Sequence, residues 1–424
     1  MLTRRDFGAQ MSAALAAAAA VPAPAAAQAV IPFYASVGPK LLRYSLDVAS
    51  AGLTRQESIT LPANVQYAWP HPSQRFLYVV ASNTQPGSGP MGITGADKNH
   101  YAIAFAVGPG GKLSEHGPRR LLPARPLHVT TDQAGRFLFT AYNNPSQVTV
   151  HRLAADGSIG EEVVQTGKPD FGIYAHQVRV TPGDRTLILC SRGNDAANGK
   201  PEDPGHIEVF SFKAGQLANI QTIKPGAAGL GFGPRHLDFS RDGRFVYVSL
   251  ERENSIAVFG LKADGTFTPE PLFIKSALTD PQGKDKHPGQ GVGPIHVHPN
   301  GRFVYQTNRG SGTRTVNGKQ VANGGENNVV VWSLNPATGE PTLIQRAWTD
   351  NYELRTFAMD PSGQVLIAAS TTPMQVLEQD VLSTISAGLT VYRAGADGKL
   401  TTAHTHEVDT SAGLQFWSGL LTMA

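Results

Sequence analysis

Arg241-Asp242-Gly243-Arg244-Phe245-Val246-Tyr247 decides the fold, because the phrase returns along the chain. Its copies include His71-Pro72-Ser73-Gln74-Arg75-Phe76-Leu77-Tyr78, Asp132-Gln133-Ala134-Gly135-Arg136-Phe137-Leu138-Phe139 and Thr181-Pro182-Gly183-Asp184-Arg185-Thr186-Leu187-Ile188. Two more are Pro299-Asn300-Gly301-Arg302-Phe303-Val304-Tyr305 and Pro361-Ser362-Gly363-Gln364-Val365-Leu366-Ile367. Each copy opens with the Pro, Asp, Asn and Gly residues that reverse a chain tightly. An apolar run with β-branched or aromatic residues follows, as a buried strand requires. The aligned positions 75, 136, 185, 244, 302 and 364 lie 61, 49, 59, 58 and 62 residues apart. Self-similarity at such a period predicts a repeat architecture.

A second phrase is an alternating strand. It reads Leu42-Arg43-Tyr44-Ser45-Leu46, Ile103-Ala104-Phe105-Ala106-Val107, Val148-Thr149-Val150-His151-Arg152-Leu153 and Ile207-Glu208-Val209-Phe210-Ser211-Phe212. Ile256-Ala257-Val258-Phe259-Gly260-Leu261, Val329-Val330-Val331-Trp332-Ser333-Leu334 and Leu389-Thr390-Val391-Tyr392 bring the copies to seven. Asp156-Gly157, Asp264-Gly265 and Asp397-Gly398 then supply hairpin turns. No helical period of comparable strength follows residue 30. These features predict an all-β chain, a seven-bladed β-propeller of four-stranded antiparallel blades with about 56 residues each. A β-sandwich would not repeat one phrase seven times. The first blade has only the headless copy Phe33-Tyr34-Ala35-Ser36-Val37, so it lacks an inner strand at the amino end. The tail Leu414-Gln415-Phe416-Trp417-Ser418-Gly419-Leu420 is expected to supply it, closing the ring and removing an open edge.

Composition agrees. A chain of 424 residues is long enough for two or three ordinary domains, but repeat folds run longer as one unit. Gly 45 and Pro 30 sum to 75 residues, and charged residues are 16%. These values exclude disordered, coiled-coil and collagen chains. A net charge of +3 with mixed signs leaves no nucleic-acid footprint. The single cysteine, Cys190, excludes an intrachain disulfide framework and a Cys-based zinc site, and the adjacent Leu187-Ile188-Leu189 place it in the core. Residues 1–29 read as an export signal. Thr3-Arg4-Arg5-Asp6-Phe7 precedes an Ala-rich apolar run to Val21, and Ala27-Gln28-Ala29 is a small-x-small cleavage site. The paired arginines fit the twin-arginine type, and the run is too short and too weakly apolar for a membrane span. One propeller domain over 30–424 is expected, cut near Ala29, periplasmic and monomeric. Long Gly-rich insertions at 84–99, 193–205, 279–293 and 310–327 are either hairpin tips or an overhang above a site.

Inner strands line a propeller's channel, so polar groups there carry weight. His128, His176, His236 and His296 precede the turn positions 136, 185, 244 and 302 by 8, 9, 8 and 6 residues. Offsets of 6 and 8 keep one face of a strand, whereas 9 needs a bulge. Arg235 adjoins His236, Glu251 and Arg309 follow second strands, and Arg355 opens the last inner strand. One such histidine usually bonds a neighbouring loop. Four, with three arginines and a glutamate, predict a shared concave site. A metal is not expected, since His296-x-His298 runs into a turn, His404-x-His406 falls on an outer strand, and the arginines repel cations. No cofactor is expected. Neither a Gly-x-Ser-x-Gly elbow nor a Gly-Lys-Ser/Thr phosphate loop is present.

Gly233-Pro234-Arg235-His236-Leu237-Asp238-Phe239, Tyr247-Val248-Ser249-Leu250-Glu251, Ile295-His296-Val297 and Asn308-Arg309, in this order and spacing, resemble the seven-bladed lactonase family. That family includes bacterial 6-phosphogluconolactonase of the propeller type and fungal carboxy-muconate cyclase. The resemblance covers about residues 31–420. It implies a catalytic set of His176, Arg235, Glu251 and Arg309. His128, His236, His296 and Arg355 would contact substrate, a small lactone or sugar acid. Glu251 or His176 would be the base, and arginines would hold the anion and oxyanion. The export signal separates the chain from cytoplasmic 6-phosphogluconolactone and favours an unphosphorylated lactone. Two alternatives remain: a lactonising cyclase, and a non-enzymatic propeller that binds an anion or a protein partner.

Overall fold

A computed structural model describes residues 30–84, 99–197 and 199–422. The export signal read over 1–29 and most of the insertion at 84–99 lie outside the described residues. Among the described residues, seven antiparallel sheets follow one another around a ring. Their inner strands are Gln415–Leu420 for blade 1, then Asn64–Pro70, Pro126–Thr131, Ala175–Val180, Pro234–Phe239, Gln290–Val297 and Leu354–Met359 for blades 2 to 7. Each blade then meanders outward, and blade 2 carries a fifth short strand, Arg120–Leu121. The carboxyl-terminal strand does pair with Ile31–Val37, so both termini build blade 1 as expected.

The alternation in the strands explains where the core sits. In blade 4, Leu187 and Leu189 pack toward blade 3, while Ile188 and Cys190 pack toward blade 5. Successive side chains of a strand point to opposite faces, so a strand buried on both faces reads as an unbroken apolar run. One apolar cluster therefore fills each gap between neighbouring blades. Burial raises the Cys190 thiol far above its ordinary range and makes it a core group.

Polar clasps complete the ring. The Asp-Gly hairpins accept bonds from the preceding blade: Tyr78 donates to the Gly157 carbonyl at 3.0 Å, Thr186 to Gly265 at 2.9 Å and Tyr305 to Gly398 at 2.9 Å. Gly157 has φ of 85°, and a side chain there would strike the Phe76 ring, so two constraints demand glycine. The insertions are ordered where described. Thr313–Val316 and Lys319–Ala322 form a separate hairpin inserted between two strands of blade 6, and Asn194 and Asp203 offer carbonyls to Arg252.

Candidate functional site

Every inner strand loses register with its neighbour near its start. The shifts fall at Gln66, Leu127, His176, Arg235, Gly293-Pro294, Arg355 and Phe416-Trp417, one place per blade. A bulge adds an unpaired residue and re-aims its side chain. Gln66, Leu127, His176, Arg235, Pro294, Arg355 and Phe416 consequently converge on one pocket, together with Tyr67, His236 and Thr356. It encloses about 370 Å³ of empty space open to solvent, yet the centres of water-sized molecules reach only about 20 Å³ of it. That is room for a water, so a sugar-sized ligand requires side chains to part.

A second tier comes from the ends of the second strands. Arg192, Glu251 and Arg309 occupy one repeat position in blades 4, 5 and 6. Arg192 and Arg309 both donate to the Glu251 carboxylate, and Arg235 Nε lies 3.1 Å from its Oε1. Arg309 also reaches Glu353 at 3.4 Å, and Arg355 reaches the same carboxylate at 3.5 Å. The Arg355 guanidinium lies 4.0 Å over the Phe416 ring, with Arg125 5.9 Å from the same ring. Tyr174 and Glu353 hold equivalent places before two inner strands, with φ of 59° and 53°. A left-handed backbone is costly for a bulky side chain and persists where its surroundings impose it. Asn327 Oδ1 accepts the Glu353 N–H at 2.8 Å, and Thr371 donates to the Glu353 carbonyl at 3.1 Å.

Cations outnumber carboxylates here: Arg192, Arg235, Arg309 and Arg355 meet Glu251, Glu353 and, from Arg192 alone, Asp195, while Arg125 donates to the neutral Gln66. Burial, reinforced by neighbouring arginines, pushes Arg235 down to about 9 and Arg125 down to about 10. Arg309 is lowered for the same reasons, and Arg355 is lowered by burial. Such a cluster favours an incoming anion. Burial first, then adjacent arginines, hold His176 and His236 far below the ordinary histidine range, so both rings are neutral.

The sequence-predicted residues divide. His176, Arg235, His236 and Arg355 line the pocket, and Glu251 and Arg309 join it through Arg235. His128 is fully buried outside the pocket lining, its ring tilted against Tyr67 with centroids 4.0 Å apart and neither ring nitrogen hydrogen-bonded. His296 departs from the expectation of a common strand-start position. Its inner strand begins early, at Gln290, and Gly293-Pro294 takes the bulge, so His296 falls near the strand's far end. There it lies 3.9 Å from Asp238 and packs on Phe357, and burial lowers it to about 4. Arg309 lies within its strand, Phe303–Gly310, rather than past it. His404 and His406 lie on the outer strand Leu400–Glu407, as expected. Sequence reasoning missed Arg192, although Ser191-Arg192-Gly193 aligns with Asn308-Arg309-Gly310. Gln66 was missed too, although it precedes its turn position by nine residues as His176, Arg235 and Arg355 do, and Tyr174 aligns in the same way with Glu353.

Comparison with known proteins fits this architecture. The family model described as lactonase, 7-bladed beta-propeller matches residues 29–377. The chain belongs to this lactonase family. It is 26% identical over 321 residues to the 6-phosphogluconolactonase of Pectobacterium carotovorum, covering 76% of this chain and 82% of the relative. The Cronobacter sakazakii 6-phosphogluconolactonase is 28% identical over 319 residues, covering 75% and 80%. Among solved structures, the Pseudomonas aeruginosa periplasmic gluconolactonase PpgL superposes with a TM-score of 0.67 at 22% identity, covering 93% of this chain and 99% of that one. A Lactobacillus plantarum protein gives 0.66 at 21% identity, covering 91% and 98%.

Proposed function

We propose that this lactonase adds water to a small sugar-derived lactone that carries or develops negative charge, outside the cytoplasm and as a monomer. One observation carries the reading: a neutral histidine and an excess of buried arginines converge at the bulges of the inner strands. Water attacks the lactone carbonyl carbon while His176 takes its proton. The carbonyl electron pair moves to oxygen, next to Arg235 and Arg355. Collapse restores the carbonyl and breaks the ring C–O bond, and the departing alkoxide recovers the proton from His176. Glu251 fits poorly as the base, because Arg192, Arg235 and Arg309 crowd its oxygens. Its role in this scheme is to fix those guanidiniums.

The export signal and the relatives bear on substrate. 6-Phosphogluconolactonases are among the relatives, and a periplasmic gluconolactonase shares the fold. An exported enzyme meets unphosphorylated lactones, so gluconolactone-type rings are the favoured class. The test is acid release from a lactone panel, followed by pH-stat, for the wild type and Arg235→Ala. Turnover lost in the variant supports the reading. Binding without turnover by the wild type would identify a passive anion platform instead.

A further inference from the structure

Gln177 takes no part in the scheme above, yet it touches a ring that does face the pocket. It is buried on the inner strand of blade 4, beside His176. The backbone N–H of Leu237, in blade 5, donates to Gln177 Oε1 at 2.6 Å. A backbone N–H only donates, so the amide oxygen must face Leu237 and the amide nitrogen must face away. That nitrogen lies 3.0 Å from His236 Nδ1. An amide NH₂ group also only donates, so Nδ1 is the bare nitrogen. Burial keeps the ring neutral, and a neutral imidazole with a bare Nδ1 carries its hydrogen on Nε2.

His236 lines the pocket, 5.0 Å from His176 between ring centroids. With Nδ1 occupied, its remaining polar edge is an N–H donor. His128, 6.0 Å away, does not consume that donor, because both of its nitrogens lack hydrogen-bond partners. We infer that His236 Nε2–H is the donor that meets the lactone carbonyl oxygen, and that Gln177 is the positioning residue that locks its tautomer. The inference rests on the lactone-opening reading. In the step itself, the water oxygen bonds to the carbonyl carbon and His176 gains the proton. The carbonyl π pair goes to oxygen, which the His236 N–H stabilises by a hydrogen bond without giving up its hydrogen. A neutral donor serves because its hydrogen must not leave.

The test uses the full chain labelled with [¹⁵N]histidine, with long-range ¹H–¹⁵N spectra to read which ring nitrogen is protonated. Wild-type His236 should carry hydrogen on Nε2. Gln177→Glu replaces the donor with an acceptor and should move that hydrogen to Nδ1. Its kcat should fall on the order of 100-fold, as when one oxyanion donor is lost, while KM changes less than about two-fold. Gln177→Leu covers the case in which the buried carboxylate unfolds the chain. It should give a mixture of tautomers and an intermediate kcat in a chain that still folds, with a Tm lowered by the unpaired Leu237 N–H. Hydrogen on Nδ1 in the wild type overturns the inference, as does a reversed tautomer with unchanged kcat. If the wild type opens no lactone, the lactonase reading and the donor role fail together. The tautomer lock is then still decided by the wild-type and Gln177→Leu spectra.

Discussion

The two levels of the central channel treat buried arginine in opposite ways. About three residues along the inner strands from the bulges, Arg179 meets Asp238 at 3.3 Å, one cation for one carboxylate. Its guanidinium lies 4.8 Å from the Trp69 ring centroid and 5.7 Å from that of Phe239, and Asp238 Oδ2 accepts the Val297 N–H at 2.9 Å. Blade 4 is thereby joined to blade 5 and blade 5 to blade 6. At the bulges, guanidiniums exceed carboxylates, and Arg235 keeps Nε and Nη1 without a well-formed hydrogen bond. A balanced pair sealed by aromatic rings consolidates the ring of blades. An unbalanced cluster beside a pocket holds unspent electrostatic capacity, which suits binding rather than stability.

Substitutions that separate activity from stability test this contrast. The largest effect is expected for His176→Ala, which removes the base: kcat/KM should fall by roughly 10²–10⁴ in steady-state assays. Arg235→Ala should cost about 10²–10³ in kcat. The Tm should change little, because Arg192 and Arg309 still hold Glu251. At the deeper level, Asp238→Ala strands Arg179 among aromatic rings. It should cost about 3–5 kcal/mol in denaturant unfolding and spare activity in the molecules that remain folded. Equal loss of activity from Asp238→Ala and Arg235→Ala at matched stability would erase the distinction between levels. Glu251→Gln should lower kcat/KM by about ten-fold, a smaller effect than either pocket substitution, because it loosens the guanidiniums without removing them.

Acid provides a gentler probe. Burial lowers the folded-state values of His128, His176 and His236 far below the unfolded value of about 6.5. Below pH of about 6.5 the unfolded chain takes up protons that the folded chain refuses. These rings' contribution is therefore intact above that pH and declines as pH falls, by up to about 1.4 kcal/mol per ring per pH unit. Thermal melts from pH 8 to pH 5 should show a steepening drop. The pH profile of kcat/KM should stay flat through the ordinary histidine range, because His176 remains neutral there. An inflection near pH 6.5 that disappears in His176→Ala would contradict the buried, neutral base. The smallest effect is expected far from both levels: Tyr305→Phe deletes one clasp to Gly398 and should cost about 1 kcal/mol with unchanged kcat.

The two levels also differ in how far the sequence disclosed them. His176, Arg235 and Glu251 stand at fixed offsets from a repeated turn, so alignment of the chain with itself exposed them. His296 was misplaced because an offset of 6 assumed that every inner strand starts alike, and the early start at Gln290 breaks that rule. Arg192 was overlooked although the repeat aligns it with Glu251 and Arg309. Gln177 gave no warning, since an amide on a strand is ordinary until its two partners are seen.

The chain by itself determined the number of blades, their meander and the carboxyl-terminal closure, because turns and alternating strands are local and recur with a period. Only the tertiary structure decided which arginines surround Glu251, how narrow the pocket is and which nitrogen of His236 holds its hydrogen. Those outcomes depend on side chains 58 or 59 residues apart meeting across neighbouring blades. Inter-blade register, which no local pattern encodes, sets where such side chains meet.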